Sequence, residues 1–163
     1  MTEHFEPRQA VRALVLAEPE QRVLLIHTLI PDTNRLIWLA PGGGLEPGEA
    51  PEVGLAREVL EETGLEIKDP QGPVWRRRTK FKLHGKPWDQ SEMFYLVRTQ
   101  MFEPDNSGNP AADELSIFRG FRWWSLQEMR AAEDEIFVPL TFAQHFERLL
   151  DDQVPNAAYD VGR

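Results

Sequence analysis

The sequence predicts an α/β fold of the α+β kind, a mixed β-sheet sandwiched between helices, and three observations carry that expectation. Short β-prone runs alternate apolar and polar residues at period two, helical stretches fall among them, and Pro and Gly punctuate the joins. The 163 residues suit one domain with a core over about 8–150, and the polar tail over 152–163 is expected to be mobile.

Ala10–Leu16 and Val23–His27 read as two strands joined by a turn at residues 17–22, which makes them a hairpin. A polar loop, Pro31-Asp32-Thr33-Asn34-Arg35, leads to a short apolar strand over Leu36–Ala40 that stops at Pro41 and a glycine run. A helix follows from Pro51, a favoured first-turn residue, to a C-cap at Gly64, and Leu65–Ile67 begins an extended segment. Val74–Leu83 and Glu92–Thr99 form a second antiparallel pair around His84-Gly85-Lys86-Pro87. Residues 103–112 are loop, Phe118–Trp124 is the last strand, and Ser125 with Glu128 is a capping box that opens a short helix. A longer helix runs from about Pro139 to Leu150. Periodicity leaves open which strands pair in parallel.

Composition narrows the function. Without cysteine there is neither a disulfide framework nor a thiolate zinc site, and the four histidines are scattered, so any metal must be held by oxygen. No apolar run approaches a membrane span and the first residues do not resemble a leader, which predicts a cytoplasmic protein with no membrane partner. A net charge of −9 argues against a polynucleotide partner, because gripping phosphates along a strand needs a basic surface.

Residues 42–65, GGGLEPGEAPEVGLAREVLEETGL, carry the chemistry. On a helix, Val53, Leu55, Ala56, Val59 and Leu60 fall on one arc, while Glu58, Glu61 and Glu62 cluster on the other. At i, i+3 and i, i+4 spacing the three negative charges repel, and Arg57 offsets only one of them. Such a face is either solvated or neutralised by a cation. Gly42, Gly43 and Gly44 bring backbone close to the same carboxylates, and carboxylate plus carbonyl oxygens are the donors a hard cation such as Mg2+ prefers.

Gly43, Glu49, Arg57, Glu58, Glu61, Glu62 and Gly64, with apolar Val59 and Leu65, fit the pattern G-x5-E-x7-R-E-U-x-E-E-x-G-U without a departure. This resembles the Nudix box. At about 7% usage per residue, seven fixed positions coincide by chance in roughly one of 10⁸ trials. The resemblance implies the Nudix fold and hydrolysis of a small nucleoside diphosphate derivative: a nucleoside triphosphate, a nucleotide sugar or a dinucleoside polyphosphate. It implies Mg2+, with Mn2+ as an alternative, bound by Glu58, Glu61, Glu62 and Gly43, with Glu58 and Glu61 also catalytic. Glu49 and Arg57 resemble the pair that ties the loop to the helix. The family's general base often lies outside the box; of Asp113 and Glu114, Glu114 is the better candidate, whereas Glu92 reads as an edge or surface residue. A non-hydrolysing nucleotide sensor on the same fold is the alternative.

Substrate contacts are sought among the cations and rings. Strand alternation puts Arg76, Arg78, Lys80 and Lys82 on one face, which suits phosphates, solvent or a homodimer contact. Arg35 is a further phosphate candidate, and Trp75 and Trp88 are the candidates for stacking on a base. Trp123 and Trp124, adjacent in one strand, must point to opposite faces.

Overall fold

The computed structural model describes residues 2–163. Its strands are β1 (Glu6–Ala17), β2 (Arg22–Ile30), β3 (Arg35–Leu39), β4 (Gly42–Gly44), β5 (Gln71–Leu83), β6 (Lys86–Thr99), β7 (Phe118–Ser125) and β8 (Tyr159–Asp160). The helices are α1 (Pro51–Thr63), α2 (Ala112–Ile117), α3 (Leu126–Ala131) and α4 (Phe142–Leu150). All eight strands join one mixed sheet, with β3-β2-β1-β6-β5-β8 as its main path, β4 on β1 and β7 on β2.

β1 is the axis of the sheet because it is apolar on both faces. Val11, Ala13 and Val15 pack with Leu55 and Val59 of α1. Leu14 and Leu16 pack on the opposite side with Trp75, Phe94 and Trp124, under Met129 of α3 and Phe142, Phe146 and Leu149 of α4. The sheet is therefore covered on both faces, as the interleaved pattern predicts. Trp124 is buried in the second cluster while Trp123 packs on the first, in keeping with strand alternation.

Along one edge β1 runs parallel to β6 from Glu6↔Trp88 to Ala17↔Thr99. Along the other it meets β2 only at Leu16↔Val23 and Ala17↔Arg22, after which the two strands part. The glycine run then takes the vacated edge: Gly42–Gly44 is a strand rather than the expected loop, paired antiparallel with Ala10–Arg12. The parting of β1 from β2 opens the cleft described below.

The predicted helix over Pro51–Gly64 forms, and Gly64 caps it in the left-handed conformation at φ 80°. Val53 and Leu60 are 61% and 46% exposed, and the side that faces the sheet carries Leu55, Glu58, Val59 and Thr63. The capping box of α3 is complete: the Ser125 hydroxyl accepts from the Glu128 N–H, and the Glu128 carboxylate accepts from the Ser125 N–H. Those bonds, from Ser125 first, hold the Glu128 carboxyl at about 2.

The end of the tail packs on the sheet, which its polar composition did not predict. Tyr159–Asp160 pairs in parallel with Trp75–Arg76, the Val161 N–H donates to the Arg76 carbonyl at 3.0 Å, and the Val161 side chain is buried. His145 on α4 is its latch, with Nδ1 2.9 Å from the Tyr159 hydroxyl and Nε2 3.0 Å from the Thr141 hydroxyl. Burial, then the nearby Arg148, lowers the His145 pKa below its ordinary 6.5. Its stabilising effect is therefore complete above that value and is lost as pH falls through the lowered one. We expect the melting temperature to drop between about pH 7.5 and pH 5.5, and the drop to shrink in His145→Gln; an equal drop in both proteins refutes the latch.

No helix among the described residues is long and apolar enough to cross a membrane.

Candidate active site

Helix α1 starts at Pro51, and the loop ahead of it folds back because Glu49 and Arg57 lock together. The Glu49 carboxylate accepts from Arg57 Nε at 2.8 Å and Nη2 at 2.9 Å, a bidentate pair, and also from the Glu46 N–H at 3.1 Å. Arg57 hydrogen bonds, then that amide, lower the Glu49 carboxyl to about 2. Arg57 also reaches the Gly44 carbonyl at 3.3 Å and Glu58 Oε1 at 3.0 Å. The pair implied by the sequence pattern is thus the brace that fixes the glycine strand against the helix.

Behind the brace, oxygens of Glu58, Glu62 and Glu114 lie within 4.8 Å of one another. Glu58 approaches because position 43 has no side chain: a Cβ there would stand 2.6–2.7 Å from the Glu58 carboxylate. Glu62 Oε2 accepts from the Gly42 N–H at 3.2 Å. Glu114 arrives on α2, a turn of helix where loop was expected, and Asn109 Nδ2 holds its Oε2 at 3.0 Å. Burial first, and then the neighbouring Glu114, raises the Glu58 pKa. Glu62 is raised well above the usual carboxylate range by burial, Arg12 opposing and Glu114 and Glu58 adding. Three crowded carboxylates, with buried Glu58 Oε2 lacking any hydrogen-bond partner, form a donor set that fits a divalent hard cation. Glu61 lies beside this cluster, 3.6 Å from Arg57.

The cluster stands at one side of a cleft of about 310 Å³ between the parted strands. Its apolar lining includes Ile26 and Ile30 of β2, Ile37 and Leu39 of β3, Phe81 of β5 and Phe118 of β7. Its polar lining includes, besides Glu62 and Glu114, Arg8, Arg12, Arg77, Gln90 and Glu92, and the sequence pattern marks none of these five as a site residue. Glu92 overturns its expected surface position: it is 2% exposed, with Arg12 Nε at 2.9 Å on one oxygen and Arg77 on the other. Burial would raise its pKa, but Arg12 and Arg77 lower it, so Glu92 is ionised. Arg12 Nη1 also donates to the Ala40 carbonyl at 3.1 Å, which ties the buried triad to the chain entering the glycine strand.

Several expected substrate contacts lie elsewhere. Of the four-cation face of β5, Arg76, Arg78 and Lys80 lie outside the cleft lining and only Lys82 reaches it. Arg76 pairs with Asp160 and Arg78 with Asp89, both exposed, while Arg77, Thr79 and Phe81 line the cleft. Arg35 is exposed at the start of β3 and outside the cleft lining. Trp75 is fully buried against Phe94 and Phe142, so it belongs to the core and offers no stacking surface.

The NUDIX domain model matches residues 6–144. The human diphosphoinositol polyphosphate phosphohydrolase 3-alpha is 30% identical over 113 residues, which span 69% of this chain and 60% of that protein. The RNA pyrophosphohydrolase of Proteus mirabilis is 33% identical over 98 residues, 54% of each. The chain thus spans less than two thirds of the length of these curated relatives. Among solved structures, the MutT protein from Methanosarcina mazei Go1 superposes with a TM-score of 0.63 at 23% identity, covering 94% of this chain and 100% of that one. A Caenorhabditis elegans Ap4A hydrolase gives 0.62 at 17%, covering 89% and 98%. These last two share the fold. Because the family model extends from β1 into α4, far beyond the 23 residues of the box, the chain belongs to the Nudix family.

Proposed function

We propose that the protein is a divalent-metal-dependent pyrophosphohydrolase of small nucleoside diphosphate derivatives. The observation that carries this reading is the convergence of Glu58, Glu62 and Glu114 within 4.8 Å beside a glycine strand and at the side of an apolar cleft. Glu58 and Glu62 would hold the cation, Mg2+ or Mn2+, with the Gly43 carbonyl and Glu61 as further oxygen donors within the box. When bound, such an ion neutralises a diphosphate and acidifies water. Glu114, held by Asn109, takes the proton of the attacking water as its oxygen bonds to phosphorus, and the P–O bond to the bridging oxygen breaks. The Glu49–Arg57 brace keeps the glycine strand and Glu58 in register during the reaction.

The cleft supports a nucleoside as the bound moiety. Ile26, Ile30, Ile37 and Leu39 present an apolar wall suited to the flat face of a base. An inositol ring bearing phosphates all round, the kind of compound for which one relative is named, would demand more free cations: Arg12 and Arg77 are already closed on Glu92.

The test is release of phosphate, pyrophosphate or nucleoside monophosphate from a panel of nucleoside di- and triphosphates, nucleotide sugars and dinucleoside polyphosphates with Mg2+. Loss of turnover in Glu62→Gln and in chelator supports the hydrolase. Nucleotide binding without turnover of any panel member by the unaltered protein would instead establish a sensor domain.

A further inference from the structure

The walls of the cleft belong to two arms of the sheet. Ile26, Thr28 and Ile30 alternate along β2 on one wall, and Thr79, Phe81 and Leu83 alternate along β5 on the other. At one end the arms converge, where β1 pairs with β2 at Leu16↔Val23. Towards the tips no strand pairing joins them, for β2 is flanked there by β3 and β7, and β5 by β6. A two-stranded hairpin holds its place poorly by itself. One side chain joins the two tips. Asp32, in the loop that follows Ile30, accepts from the His84 N–H at 2.9 Å on one carboxylate oxygen and from the Gly85 N–H at 3.1 Å on the other. Among the described residues no other hydrogen bond or ion pair links 22–39 to 71–99.

The β5–β6 turn is shaped to offer those two donors. His84 and Gly85 are the central residues of a hairpin closed at Leu83↔Lys86, and both have positive φ, 51° and 78°, as a two-residue turn of this kind requires. Their N–H groups lie outside the ladder and need an acceptor of their own. A carboxylate only accepts, has two oxygens and bears a charge that strengthens both bonds, so Asp32 matches the pair. Asp32, His84 and Gly85 are exposed and are not part of the lining, so the clasp acts on the cleft through the strands it joins.

Resting on the reading of the cleft as a nucleoside site, we propose that Asp32 is a positioning residue that sets the width of the cleft. By clasping the tip of one wall to the tip of the other it holds Ile30 and Leu83 at a fixed separation, so that a flat organic moiety is gripped from both sides. The spacing exists before the ligand arrives, and binding does not have to order the two hairpins. Phosphates held at the carboxylate end gain nothing from it.

The experiment compares the unaltered protein with Asp32→Ala and Asp32→Asn, using the nucleotide of the panel that is turned over best and, as a ligand with no organic moiety, inorganic tripolyphosphate as an inhibitor. Asp32→Ala should raise KM for the nucleotide about 10-fold, the loss of two charge-assisted hydrogen bonds at an exposed site, with kcat and the inhibition by tripolyphosphate unaltered. Asp32→Asn, whose amide keeps one acceptor oxygen, should fall between the two. A loss that tripolyphosphate shares, a loss in kcat, or no loss overturns the assignment. If the unaltered protein turns over no nucleotide, the three proteins are titrated instead with 8-anilinonaphthalene-1-sulfonate, a fluorescent dye that enters apolar clefts. Weaker dye binding in Asp32→Ala upholds the clasp while the hydrolase reading fails, and equal binding, or none, refutes it.

Discussion

Glu58→Gln should lower turnover at least about 100-fold while making the metal-free protein more stable. Loss of a group that merely orients a metal ligand costs 10- to 100-fold, and loss of a ligand costs no less. The two effects have opposite signs for one physical reason. Glu58 is 5% exposed, one of its oxygens has no partner, and burial together with Glu114 already pushes its carboxyl towards the neutral form. An amide of the same shape removes a buried negative charge from beside Glu62 and Glu114, and with it the like-charge repulsion that a cation would otherwise neutralise. The same amide is a poorer donor to Mg2+. Melting curves with and without Mg2+ give the check: the unaltered protein should gain stability from the ion, and Glu58→Gln should start higher and gain less. Near-normal turnover in the variant would remove Glu58 from the site.

Trp75→Ala should destabilise the fold by about 3–5 kcal/mol, the range for deleting a large buried aromatic side chain. Trp75 packs its ring 5.5 Å from Phe94, 5.3 Å from Phe142 and 5.7 Å from His145, joining the sheet to α4. It also sits opposite Tyr159, so the docked tail loses its footing. Trp75→Phe should cost much less, because the indole N–H has no partner in that core and its removal leaves nothing unpaired. Chemical denaturation measures the loss, and nucleotide affinity of the molecules that remain folded should be unaltered. A small stability loss with abolished nucleotide binding would restore Trp75 as a stacking platform.

The sequence pattern located what is local. Glu49, Arg57, Glu58 and Glu62 are spaced along one loop and one helix, so their meeting follows from 3.6 residues per turn and a tight loop. Which arc of α1 meets the sheet does not follow from its apolar residues alone. Val53 and Leu60 face outward, and Glu58 is buried next to Gly43. Alternation along β5 correctly gathered Arg76 and Arg78 on one side, but which side meets the cleft depends on the pairing with β6. Glu92 departs from its expected surface position for a related reason. A lone strand glutamate looks like a surface residue, and only the arrival of Arg12 on one neighbouring strand and Arg77 on the other makes its burial tolerable. The tail offered no hydrophobic run, and a strand of two residues plus one buried valine sufficed to dock it.

The parallel pairing of β1 with β6 also governs when the cleft comes into being. Arg12 and Glu92 lie 80 residues apart in the chain, so the central strand must wait for its partner, whereas β5 and β6 can close on each other across a tight turn. Contacts between distant segments slow folding, because the entropy of closing the intervening loop is lost before the contact stabilises anything. During synthesis the N-terminal strand, apolar on both faces, therefore emerges well before the segment that will shield its edge, and the interval is a window for aggregation. The Arg12–Glu92 link in the cleft closes only at the end of that interval, whereas the Glu49–Arg57 brace, local in the chain, does not wait for it.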